Sequence, residues 1–239
     1  MPNTLEENVN RIKAAKTAIG AAITAKGGTV GANDGLEDFA SDIASIPSGG
    51  GDYNVEVVNS PASFSWATNV KKAILPDGIT ALNNYLFNNA TQLTSVTIPN
   101  SVTSIGQQCF LGCISLTNII LPPNFTTLGP IAFQGCTGLT SIEIPNGVTK
   151  IPYQCFHACT GLTSIEIPNG VTNIEYNAFS SCTGLQYIKF TRNTPPVVGN
   201  NAFNNLPTSC IIYVPTGTLS AYTSTANMPS SSTYTYVEY

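Results

Sequence analysis

Charge is what this sequence has least of. Of its 239 residues, 9 % are Asp, Glu, Lys or Arg, against ~25 % in an average domain. Between Asn83 and Ile188 the only charged side chains are Glu143, Lys150, Glu166 and Glu175. The formal net charge of −4 supplies no basic patch, which speaks against nucleic acid as a partner. No apolar run reaches the ~18 residues of a membrane-spanning helix, so no membrane insertion is expected. Met1-Pro2-Asn3-Thr4-Leu5-Glu6-Glu7 lacks a basic region followed by an apolar one and does not read as a secretory signal. Solubility across the middle of the chain must come from Thr, Ser, Asn and Gln.

What the chain has instead is repetition. Leu139-Thr140-Ser141-Ile142-Glu143-Ile144-Pro145-Asn146-Gly147-Val148-Thr149 returns almost unchanged as Leu162 to Thr172, and more loosely at Leu93 to Pro99. Pro76, Pro99, Pro122, Pro145 and Pro168 keep one step, as do Phe87, Phe110, Phe133, Phe156 and Phe179, and Cys113, Cys136, Cys159 and Cys182. The step is 23 residues, a period that signals a solenoid.

Each unit has a physical reading. Leu139, Ile142 and Ile144 follow an L-x-x-I-x-I pattern, which puts the two isoleucines on one face of a strand and Ser141 and Glu143 on the other. Pro145 lacks an N–H and stops the strand. Val148 and Ile151 send further apolar side chains inward across a turn. Cys155-Phe156-His157-Ala158-Cys159 is too short for an independent helix and reads as a helical or 3₁₀ turn. A single coil cannot bury its own apolar side, whereas stacked coils form continuous columns. Parallel strands are expected near 93–98, 116–121, 139–144, 162–167 and 185–190, with the phenylalanines in one buried column.

The unit L-T-S-I-x-I-P-x-x-V-T-x-I-x-x-x-A-F-x-x-C-x-x resembles the BspA-like leucine-rich repeat over residues 74–215 or so. The resemblance implies a β-rich (α/β) right-handed solenoid with a parallel sheet on one side. It also implies a role in surface adhesion and host contact, without catalysis.

Residues 1–48 are a different text, expected to form a helical attachment or oligomerisation segment. Thr4 with Glu7 makes a capping box. Leu5, Val9, Ile12, Lys16, Ile19 and Ile23 then trace a short heptad seam. The same spacing also fits an ordinary amphipathic helix folding on its neighbour. A second helix is expected from Leu36 to about Ala44, with Asp34 as its N-cap. The segment from Ile12 to Pro47 resembles the N-terminal part of tail and baseplate-associated proteins of phages and prophages, which implies attachment to a virion component and, by analogy with phage fibres, a homotrimer. Residues 49–54 read as a Gly-rich linker. The solenoid is assigned to 55–239, with an N-terminal cap at 55–81 and a C-terminal cap at 191–239. Val55 to Val58 reads as a strand. Trp66 reads as a cover for the open core, with sugar stacking as the alternative. Cys210 to Pro215 followed by Tyr222 resembles the terminal unit of BspA-like arrays, and the tail from Ser230 is expected to pair as an edge strand at best.

Reactive constellations are scarce. The seven cysteines are an odd number, and thiols in one column point the same way, whereas a disulfide needs them to converge. They read as buried small hydrophobes. A thiol ladder also spreads along a line, where a metal needs ligands converging on a point. His157, the only histidine, lies between Cys155 and Cys159, but its column otherwise holds Leu111, Gln134, Ser180 and Asn204, as an exposed turn position would. Glu143 and Glu166 lie one coil apart, near the spacing of a retaining glycosidase pair, on a sheet that offers no cleft. Ser48 to Gly51 has no Lys-Ser/Thr partner and is no P-loop. Neither an enzyme, a metal nor a cofactor is expected.

The expected binding face follows from alternation. One outward column is Ser95, Asn118, Ser141, Ser164 and Tyr187. The other is Thr97, Ile120, Glu143, Glu166 and Lys189. The readings weighed for it are a phage-tail protein contacting a host surface protein or glycan, a structural tail component, and a cell-surface adhesin. The expected locations are accordingly the virion or the cell surface.

Overall fold

The computed structural model describes residues 54–56, 70–75 and 77–239. The expected helices of residues 1–48, the linker up to residue 53, and Trp66 of the expected N-terminal cap lie outside them; Asn54, assigned to the linker, instead begins a strand because its backbone pairs in register with Lys72. The rest is a parallel-strand solenoid of about seven turns. Its first side holds β1 (Asn54–Glu56), β2 (Lys72–Ile74), β4 (Ser95–Thr97), β6 (Asn118–Ile119), β8 (Ser141–Ile142), β10 (Ser164–Ile167), β12 (Tyr187–Phe190), β14 (Ile211–Val214) and β15 (Thr235–Glu238). Every pairing among them is parallel, as in Lys72 with Ser95, Asn118 with Ser141, and Ser164 with Tyr187. Regular pairing falls into three runs, β1-β2-β4, β6-β8 and β10-β12-β14-β15.

The strands begin two residues later than the leucine pattern predicts. Leu93, Leu116, Leu139, Leu162 and Leu185 are fully or almost fully buried. Their N–H groups, however, donate to the carbonyls of Ala90, Cys113, Cys136, Cys159 and Cys182 within the same coil. Each leucine closes a turn and leaves the inter-coil ladder to the residues after it.

A second ladder stands where a simple turn was expected. It comprises β3 (Ala81–Leu82), β5 (Ser104–Ile105), β7 (Thr127–Leu128), β9 (Lys150–Ile151), β11 (Asn173–Ile174) and β13 (Val197–Val198), which pair regularly in two runs, β3-β5-β7 and β9-β11-β13. Each contributes one inward apolar side chain, such as Leu82, Ile105 and Ile151. Threonine hydroxyls rivet both sides: Thr163 Oγ1 donates to Thr140 O at 3.1 Å on the first, and Thr172 Oγ1 to Thr149 O at 3.2 Å on the second.

The third side is not helical. Successive turns contain two left-handed residues four apart. The first column includes Tyr85, Gln108, Ile131, Gln154 and Asn177; the second includes Asn89, Gly112, Gly135, Ala158 and Ser181. Left-handed residues redirect the N–H groups out of the coil. Those of Ile131, Phe133 and Gly135 donate to the carbonyls of Tyr153, Cys155 and His157 in the next coil, and the equivalent trio of every coil from Tyr85 to Ser181 does the same. All these bonds run from an earlier coil to a later one.

Between the three sides lies one core. Phe87, Phe110, Phe133, Phe156, Phe179 and Phe203 stack with ring centroids 5.2–5.7 Å apart. All seven cysteines are buried free thiols. Those of Cys113, Cys136, Cys159 and Cys182 donate to the carbonyls of Phe87, Phe110, Phe133 and Phe156 at 3.0–3.1 Å. Cysteine suits this column because it fills space as a hydrophobe and still satisfies a buried acceptor. At the C-terminal end Tyr222, on the one-and-a-half-turn helix α1 (Leu219–Ser224), packs its ring on Phe190 and donates its hydroxyl to Arg192 O at 2.7 Å. The tail pairs as expected, β15 lying parallel to β14.

Candidate functional site

Alternation on the first side sorts side chains as expected. Val96, Ile119, Ile142, Ile165 and Ile188 point into the core. Ser95, Thr97, Asn118, Ser141, Glu143 and Glu166 are exposed, and Ser164 and Lys189 are partly so. Ile120 is 76 % exposed, an unusual position for a large aliphatic side chain, and Tyr187 is 40 % exposed. The two outward columns thus form one surface across adjacent coils.

The surface divides along the solenoid axis. Toward the N-terminus, register adds Lys72 beside Ser95 and Ile74 beside Thr97, and Ile74 is 48 % exposed. Ile74, Thr97 and Ile120 make an uncharged apolar stretch. Toward the C-terminus the face is charged and aromatic. Lys189 Nζ lies 3.0 Å from Glu166 Oε2 and 4.9 Å from the centre of the Tyr239 ring. Tyr187 meets Tyr213 edge to face at 5.8 Å. The Glu166 carboxylate beside Lys189 holds its ammonium above the usual lysine range. An exposed pair of this kind adds little stability, so its effect is to fix the position of two charges.

Ile74, Tyr213 and Tyr239 join the face without having been singled out from the sequence. Ile74 is one 23-residue step before Thr97. Tyr213 follows Lys189 after the one-residue insertion that also shifts Phe203. Tyr239 arrives only through the fold of the C-terminal strand.

The residues with reactive side chains are dispersed. Glu143 lies open on the face, while Glu166 turns to Lys189. His157 is half-buried, as are Leu111 and Gln134, and Ser180 is buried, so within the stack this column is not the exposed turn position expected; only Asn204, in the last coil, is exposed. The reason is the left-handed pair flanking it, which tucks the turn against the next coil. Among the described residues His157 Nδ1 is buried without a hydrogen-bond partner. The Cys159 thiol donates to Phe133 O, not to the imidazole. Burial pushes the Cys113 and Cys182 thiols up to about 12, the opposite of an activated nucleophile.

Six copies of a family model described as the BspA type leucine rich repeat region match the chain over residues 59–182 and 149–232. A leucine-rich repeat protein of T. pallidum has a crystal structure similar to this one. Its TM-score is 0.57 at 26 % identity, over 64 % of this chain and 72 % of that one. A leucine-rich repeat protein from Bacteroides ovatus ATCC 8483 shares the fold, with a TM-score of 0.51 at 22 % identity. That similarity covers 68 % of this chain, which spans 54 % of the other. No curated protein matches the chain. With its repeat columns, stacked coils and family match in agreement, the chain belongs to the BspA-type leucine-rich repeat family.

Proposed function

We propose that this chain is a non-enzymatic binding module whose first-side sheet contacts a protein or glycan at a cell surface. One contrast carries the reading. The inward column at Val96, Ile119, Ile142, Ile165 and Ile188 is aliphatic in all five of these coils, while the outward column runs Thr97, Ile120, Glu143, Glu166, Lys189. Packing fixes the first and leaves the second open to encode a partner. Ile120 and Tyr187 supply contact area, and aromatic anchors commonly dominate interfaces. Glu143, Glu166 and Lys189 set the charge preference.

A second reading rests on the text of residues 1–48. There the solenoid is tail-associated in a phage or prophage, joined to the virion by that segment and trimeric through it. It either contacts the host or serves as a structural spacer.

One experiment addresses both. Fluorescently labelled full-length protein is titrated onto bacterial cells and onto animal cells. Binding to animal cells supports the adhesin reading, and binding confined to bacteria supports the tail reading. Replacing Ile120, Glu143, Glu166 and Tyr187 together by Ser is expected to abolish binding with little change in melting temperature. Undiminished binding by that variant overturns the assignment to the sheet face.

A further inference from the structure

The second ladder carries a groove of about 960 Å³ that spans the coils containing β3, β5 and β7. Its floor is backbone. The position after the inward residue is Asn83, then Gly106, Gly129 and Pro152 in successive coils. A Cβ on Gly106 would meet the backbone of Asn84, and one on Gly129 the backbone of Gly106. Both glycines are imposed by the close approach of the coils, and together they leave a strip without side chains. Pro152 refills the strip and ends the groove. Lys150 stands at the same end, tied to Glu175 at 3.1 Å.

The rims are polar but uncharged. Ser104 and Thr127 stand on one side, Asn84 and Gln107 on the other. Asn84 Oδ1 accepts the Gln107 backbone N–H at 2.8 Å, which fixes the Asn84 side chain and turns its amide N–H groups to other use. The Gln107 side-chain amide and the Ser104 hydroxyl make no hydrogen bond among the described residues. Tyr85, 37 % exposed, adds a ring at the open end, and Pro130 adds apolar surface beside Gln107.

This set of groups selects a ligand class. Amides and hydroxyls both donate and accept, as a ligand rich in hydroxyls requires. Tyrosine and proline surfaces suit the C–H face of a sugar ring. Among the described lining residues Lys150 alone is charged and it is already paired with Glu175, so they offer an anionic or cationic ligand no free counter-charge. Coils ~4.8 Å apart extend the site along one direction, which fits a chain better than a single ring. We propose that this groove binds a short neutral oligosaccharide, independently of whatever the first-side sheet contacts.

The test is saturation-transfer NMR of the full-length protein with maltotriose, cellotriose and tri-N-acetylchitotriose at millimolar concentration. At least one is expected to show transfer. Gln107→Ala and Thr127→Trp, both checked for unchanged melting temperature, are expected to weaken it by about tenfold or more. The four-serine sheet-face variant is expected to bind like the parent. Absence of transfer from all three sugars overturns the proposal. So does binding that survives both groove variants, or that disappears in the sheet-face variant.

Discussion

At the scale of the residue, the least comfortable position is Ile131. Its φ of 61° is left-handed, where a β-branched side chain is a genuine outlier. The same column uses Asn177 and Asn201, residue types that tolerate this conformation. Ile131 is only half-buried, so little apolar contact would be lost on replacing it. Ile131→Asn is therefore expected to stabilise the protein by about 0.5–1 kcal/mol. A urea denaturation midpoint that falls instead would show that the isoleucine contributes packing beyond its exposure. The sequence held the signal for these turns: Asn89, Gly112 and Gly135 share a column, and Asn and Gly mark left-handed backbone. It was masked by Cys155, Phe156 and Cys159, whose spacing imitates a helix.

At the scale of the element, the first-side strands were legible because two inward residues flank one outward residue, which is enough to show a period of two. The second ladder was not, since Lys150–Ile151 offers one inward side chain and no alternation. The outward placement of the two columns follows from the same alternation as the strands, while Ile74, Tyr213 and Tyr239 lie where the period slips or stops. The thiol column makes a prediction of its own. Burial raises Cys113 and Cys182 to about 12 and Cys210 to about 11, from an ordinary 9.0. Between those values the unfolded thiols lose protons that the folded ones retain, so the unfolded state binds fewer protons. Stability from this source is complete below about pH 9 and declines as pH rises toward 12. Replacing Cys113 and Cys182 by Ala is expected to make the decline between pH 9 and 10 shallower. The reduction is up to about 1.4 kcal/mol per pH unit for each thiol removed. Identical slopes in urea titrations of parent and variant would show that these thiols do not govern the alkaline limit.

At the scale of the whole molecule, a solenoid is held by interactions between neighbours, so its units are interchangeable where their columns match. Leu139–Gly161 is one complete unit, and Gly138 would join Leu162 in the same sequence context that it has with Leu139. Deleting those 23 residues is expected to leave a folded, cooperative and less stable protein. Removing one residue fewer misaligns the Phe and Cys columns and is expected to prevent folding, as read by circular dichroism and thermal melting. Comparable melting of both deletions would mean that column register is not what holds the coils together. The third side gives the stack a direction as well as a period. In parallel strands successive peptide dipoles alternate and nearly cancel, but here each inter-coil bond points the same way. The row ends in the N–H groups of Asn201, Phe203 and Asn205, with no later carbonyl to receive them among the described residues. Like a helix, though perpendicular to the run of the chain, that side has a macrodipole. Its positive pole lies at the C-terminal coil, so the solenoid has an electrical polarity that its sparse charges do not provide, and it meets an anionic surface more favourably end-on by that coil.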